Sequence, residues 1–148
     1  MKKATRMQYM KRTEASEQEA VIQICTLMER KHPELKLLYH CPNGGSRNRI
    51  EAANLKRQGV KAGVPDLHLP VPKGIYAGLF IEMKYGNGRL QETQKKWLQL
   101  VAEHKNFAVT CYGQELALEV IGEYLNLEPG QQMSIKNNTV LKQKSNVR

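Results

Sequence analysis

Apolar residues along the chain follow two periods, and the switches between them mark out the elements. From Glu14 to Arg30 the spacing is helical: Glu14, Gln18, Val21, Cys25 and Met28 share a stripe, with Ile24 and Leu27 beside it. Ser16 to Glu19 also reads as a capping box that would start the helix two residues later. Pro33 ends this element, and Leu35 to Cys41 reads as a strand closed by the turn Pro42-Asn43-Gly44-Gly45. A second helix is predicted from about Asn48 to Gln58, stopped by Gly59. The period then drops to two. Leu67 and Leu69 share one strand face and Asp66 and His68 the other; Leu79, Ile81 and Met83 then alternate with Phe80, Glu82 and Lys84. Pro70, Pro72, Gly74 and Gly78 bracket the turn between these strands. Helical spacing returns from Gln91 to His104, with Leu90, Gln94, Trp97, Leu98 and Val101 inward. Phe107 to Tyr112 is a last strand, and Gln114 to Leu125 a last helix with Leu116, Val120, Ile121 and Tyr124 inward. The predicted order is α-β-α-β-β-α-β-α, an α/β fold.

The hairpin carries the first chemical clue. If its strands pair, Asp66, Glu82 and Lys84 meet at one end of the sheet. Two carboxylates and an ammonium on a surface otherwise made of Leu, Ile and Phe are costly unless a cation and a substrate use them. The plainer reading makes Asp66 a turn residue after Pro65, and Glu82 and Lys84 an exposed cross-strand pair. Their clustering on one face of an apolar hairpin argues against it.

Charge adds a partner. The chain has 148 residues and a net charge of +9, enough length for one domain with a real core. Residues 1–13 hold five basic residues and no acid, and residues 131–148 hold four and no acid. Between them, residues 36–96 carry eleven basic residues against four acidic. A basic middle and two basic ends suggest a polyanionic partner, although solvated lysines alone also give such a balance. The chain divides into a basic N-terminal arm (1–13), a domain (14–128) and a polar basic tail (129–148) that reads as flexible. Cys25, Cys41 and Cys111 are odd in number and widely spaced, which suits thiols in a reducing compartment. No run is apolar enough for a membrane span or a signal peptide, so the expectation is a soluble intracellular protein without membrane contact.

Gly63-Val64-Pro65-Asp66, a spacer of fifteen residues, and Glu82-Met83-Lys84 together resemble the PD-(D/E)XK nuclease motif. Pro42-Asn43-Gly44-Gly45, the run Leu55 to Asp66, Ile81-Glu82-Met83-Lys84 and Gln94 before Trp97-Leu98 resemble the VRR-NUC family more narrowly. The likeness is to its compact stand-alone form, found in bacteriophages and bacteria, and it runs from about Glu14 to Leu125. It implies a restriction-endonuclease-like fold, a central mixed sheet flanked by helices. It also implies an endonuclease that needs Mg²⁺ or Mn²⁺ and no small-molecule cofactor. Its metal would be held by Asp66, Glu82 and the Met83 carbonyl. Such hard ions take oxygen ligands and need only one or two carboxylates beside the substrate phosphate. Lys84 would orient the attacking water, and the family places a glutamine, here Gln94, near metal and phosphate. The family also brings a first-helix glutamate to the site; Glu14 fits best and Glu17 is the runner-up, with Glu19 assigned to the capping box. Arg47, Arg49, Lys56, Arg57 and Lys61 lie just before the motif and suit a phosphodiester backbone, or else a solvated helix face. His68 shares the Asp66 face but reads as a spectator, and Trp97 as core. The stand-alone members resemble Holliday-junction resolvases: homodimers acting on branched or duplex DNA in repair, in the cytoplasm of a bacterial host where phage-encoded. The alternatives are a flap, single-strand or general nuclease with the same site, and a non-catalytic DNA-binding module on this fold.

Overall fold

A computed structural model describes residues 11–42 and 48–143. The Asn43-Gly44-Gly45 part of the expected turn, Arg47, most of the N-terminal arm and the last five residues lie outside the described residues.

Helix α1 (Glu14–Leu27) starts at Thr13, whose hydroxyl accepts the Ser16 N–H while the Ser16 hydroxyl accepts the Thr13 N–H. This reciprocal box, not one involving Glu19, sets the start. The expected strand at Leu35–Cys41 is mostly absent. Pro33 opens a 3₁₀ turn through Leu37 instead, because its fixed φ suits a first helical position. Buried Leu35 anchors that turn, and only Tyr39–His40 pair as strand β1.

Helix α2 (Arg49–Arg57) is capped by the Asn48 side chain, which accepts the Glu51 N–H at 2.7 Å. Strands β2 (Leu67–Leu69) and β3 (Leu79–Lys84) form the antiparallel hairpin, with His68 opposite Phe80 and Leu67 opposite Ile81. Helix α3 (Glu92–Glu103) then leads to β4 (Phe107–Tyr112), parallel to β3, and α4 (Gln114–Leu125) follows. A further strand, β5 (Thr139–Leu141), pairs parallel with β4 and completes a mixed sheet in the order β1-β2-β3-β4-β5.

β5 corrects the expectation of a flexible tail from residue 129. Asparagines that read as polar filler act as strand backbone here. The Asn137 side-chain Oδ1 accepts the Ala108 N–H at 2.8 Å, its Nδ2 donates to the Asn106 backbone carbonyl at 2.9 Å, and the Asn138 backbone N–H donates to Ala108 O at 2.8 Å. Upstream, Met133 is buried and its N–H donates to the Tyr76 hydroxyl.

Val21 and Cys25 of α1 and Ala117, Val120, Ile121 and Tyr124 of α4 form one core with Leu67, Leu79, Ile81, Met83 and Val109 of the sheet. Full burial of each large apolar side chain contributes about 1.5–3 kcal/mol. The opposite sheet face, bearing Phe80, Glu82 and Lys84, meets α3, where Leu98 alone is fully buried. Ile24 and Leu27, assigned to the α1 stripe, are exposed. Among the described residues no helix is long and apolar enough to cross a membrane.

Candidate active site

The site forms where β2 begins and β3 ends. Gly63 sets its geometry: it holds φ +87°, and a Cβ there would stand 2.4 Å from the Thr93 carbonyl oxygen. Only glycine lets this loop press onto the start of α3. Three residues on, Asp66 is pinned from both sides. Its carbonyl accepts the Cys41 N–H at 3.0 Å and the His40 Nδ1–H at 2.7 Å. Its carboxylate accepts the Met83 N–H at 2.8 Å. N–H and C=O of one strand residue point to the same strand edge, so the Met83 carbonyl also faces the Asp66 side.

Glu82 is 1% exposed. Its Oε1 accepts the Gln94 side-chain N–H at 3.1 Å and lies 3.5 Å from Lys84 Nζ, while its buried Oε2 has no partner. Gln94 does two jobs: its Oε1 accepts the Gln91 N–H and caps α3, which orients its amide toward Glu82. Glu14, in the first turn of α1, reaches around the end of the sheet. One carboxylate oxygen from each of Glu14, Asp66 and Glu82 lies within 4.8 Å of the others. The cleft between them measures about 530 Å³, with Gln18, His40 and Pro42 on its walls.

Crowded acids resist ionisation. Burial, then the neighbouring Asp66 charge, push the Glu82 carboxyl up to about 8, against the pull of Lys84. Glu14 is also raised, by burial and by Asp66, with Lys84 opposing. A buried acceptor without a donor, among three converging carboxylates, fits a hard divalent cation, which supplies the missing positive charge and takes oxygen ligands.

Glu17 lies elsewhere. It is buried against Gln114, whose amide donates to Oε2 at 2.8 Å, and against Arg12, which also pairs with Glu115 at 2.9 Å. His68 stacks on Phe80 with ring centroids 4.0 Å apart and shares a 2.8 Å hydrogen bond with the Tyr39 hydroxyl, so it is occupied outside the cleft. Trp97 is only part-buried rather than core, and lines a neighbouring groove. Arg49, Lys56, Arg57 and Lys61 are all exposed on α2 and the loop after it. Gln18 and His40 were not singled out from the sequence. Gln18 sits one turn from Glu14, which is a readable signal; His40 reaches Asp66 only through the β1–β2 register, with His40 opposite Leu67.

A mixed sheet whose central hairpin gathers acids and a lysine at its open end, flanked by helices on both faces, is a nuclease-like α/β fold. The family model described as VRR-NUC domain matches residues 3–115. A solved structure described as a VRR_NUC domain protein superimposes with a TM-score of 0.66 at 30% identity, covering 81% of this chain and 93% of that one. No curated protein matches. The chain belongs to the VRR-NUC family, which gives it a nuclease-type function with DNA as the substrate class.

Proposed function

We propose that the chain is a structure-selective DNA endonuclease dependent on Mg²⁺ or Mn²⁺, acting as a homodimer on four-way junctions. The observation that carries the reading is the approach of Glu14, Asp66 and Glu82 within 4.8 Å, beside a buried lysine and with Glu82 Oε2 unsatisfied. Asp66, Glu82 and the Met83 carbonyl would hold the cation, with Glu14 completing the acidic wall. When bound, such an ion polarises the scissile phosphate, acidifies a water and offsets charge on the leaving oxygen.

The protein's own groups do the rest. Lys84, buried with its ammonium 3.5 Å from Glu82 Oε1, would orient the attacking water and meet charge growing on the phosphate. Gln94 holds Glu82 in position and presents its remaining N–H toward the same space. A water oxygen adds to phosphorus and gives up a proton to solvent, one phosphodiester P–O bond breaks, and the departing oxygen takes a proton from solvent to leave as a hydroxyl. Among the described residues this reading assigns no serine, cysteine or histidine as a covalent nucleophile.

Arg47, Arg49, Lys56, Arg57 and Lys61 are assigned to the DNA backbone, which positions a substrate without reading sequence. Paired nicks across a junction need two sites related by a two-fold axis, hence the homodimer. Free Cys25, Cys41 and Cys111 suit a reducing bacterial cytoplasm and a role in phage or host DNA repair.

The test compares four-way junctions, flaps, linear duplex and RNA in Mg²⁺ and in Mn²⁺, with wild type, Asp66→Ala and Lys84→Ala. Both variants are expected to bind the junction in Ca²⁺ and to fail to cut it. Cleavage of linear duplex alone rejects the resolvase assignment, and cleavage by Asp66→Ala at the wild-type rate assigns the activity to a contaminant. Sedimentation of a monomer on the junction overturns the dimer.

A further inference from the structure

Beside the acidic cleft runs a groove of different character. It lies between α2, the loop after it and α3, measures about 650 Å³, and is lined by Ala52, Leu55, Val60 and Trp97 together with Lys56 and Lys61. A second depression of about 500 Å³ continues it past Leu55, Val60 and Trp97 to Pro42, and Pro42 also lines the acidic cleft. Pro42 thus stands between the groove and the site. Trp97 lies three residues beyond Gln94, one turn along the same face of α3.

Three features mark the groove. Trp97 is part-buried in its wall, with the indole Nε1 shielded and the rest of the ring partly open. Val60 keeps an apolar side chain 42% exposed in the groove wall. Every charged residue lining either part of the groove is a lysine.

A flat aromatic walled by aliphatic side chains, with lysines as the only charges lining the groove, complements a flat heteroaromatic ring carried on a polyanion. We propose that this groove receives an unpaired DNA nucleobase, stacked on Trp97 with its flanking phosphates on Lys56 and Lys61. The proposal rests on the nuclease reading above and narrows its substrate. A base paired within a duplex cannot enter, so the groove selects DNA with an unstacked nucleotide next to the phosphate lying over Asp66 and Glu82. Just past the wall residues Val60 and Lys61, Gly63 brings the same loop against the start of α3.

Trp97 is the chain's single tryptophan, so its emission reports on the groove alone. The experiment titrates the full chain in Ca²⁺ with two fluorescein-labelled hairpin duplexes, one fully paired and one with a single unpaired thymidine. Anisotropy of the label reads binding and Trp97 emission reads stacking. The expected result is quenching by the unpaired duplex only. Affinity for it should be higher by about 5- to 150-fold, the range that stacking of a base on an aromatic side chain spans. Trp97→Ala should lose that preference while keeping its affinity for the paired duplex, and Trp97→Phe should retain most of it. Wild-type quenching decides the matter even if Trp97→Ala fails to fold. Equal affinity and equal emission with both duplexes overturn the proposal and leave the nuclease reading standing. A failure to bind either duplex overturns both. A change in oligomeric state for Trp97→Ala, with the DNA preference intact, assigns the groove to contact between copies and overturns the proposal.

Discussion

Replacing Glu82 by glutamine should make the metal-free protein more stable while removing its response to divalent cations. The Glu82 carboxyl is held up to about 8, against 4.5 ordinarily, by burial and by the adjacent Asp66. Between those values the folded chain keeps a proton that the unfolded chain releases. Its contribution is therefore complete below pH 4.5 and is lost as pH rises through about 8. At ~1.36 kcal/mol per unit the whole span corresponds to about 5 kcal/mol. Asp66 and Lys84 share in the titration, so one substitution recovers only part, about 2–3 kcal/mol near pH 8. Glutamine preserves the geometry: its oxygen can still accept from Gln94 beside Lys84, and its amide would supply a donor on the side of the Asp66 carboxylate. Thermal melts in EDTA across neutral and alkaline pH should show wild type weakening as pH rises. Glu82→Gln should stay flat and melt roughly 5–10 °C higher at the alkaline end. Adding Mg²⁺ or Mn²⁺ should raise the wild-type melting temperature, as ligand binding to the folded state requires, and leave the variant almost unmoved. A variant that melts below wild type in EDTA at alkaline pH would refute the reasoning, since it would mean that the ionised carboxylate stabilises the empty site.

Two other perturbations test how the site is held. Gly63→Ala drives a Cβ to 2.4 Å from the Thr93 carbonyl at a positive φ; it should cost about 2 kcal/mol or more and weaken cation-dependent stabilisation, measured by denaturant unfolding with and without Mn²⁺. Arg12→Ala leaves the buried Glu17 carboxylate with Gln114 alone. Since Arg12 is itself part-exposed, a loss of about 1–3 kcal/mol is expected, and wild-type stability in a urea titration would contradict it.

The hairpin was legible because alternation with a period of two places Asp66, Glu82 and Lys84 on one face whatever the rest of the chain does. Their neighbours also follow the VRR-NUC pattern, so the family was readable from the same stretch. Less was visible where long-range partners decide. Glu14 and Glu17 are both plausible on a helical wheel; Gln114, 97 residues away, and Arg12 withdraw Glu17. β1 was overdrawn because Leu35 to Cys41 carries strand-like residues, while Pro33 starts a helical turn that takes most of them. β5 went unseen because three residues in an Asn-rich run have no period of their own. What orders them is the edge of β4 and the side-chain amide of Asn137. Trp97 read as core because apolar spacing cannot tell a groove wall from an interior.

The third strand of the parallel half has a practical outcome for anyone cutting this gene to size. The region matching the family model stops at residue 115, yet Ala117, Val120, Ile121 and Tyr124 lie beyond it and are buried against the sheet. A fragment trimmed to that match would uncover the apolar side of β3 and β4 and leave β4 as an unguarded six-residue rim. Such a rim invites strands from other molecules to dock. Expression fragments should therefore extend past Leu141, so that α4 and β5 keep both the apolar side and the rim covered.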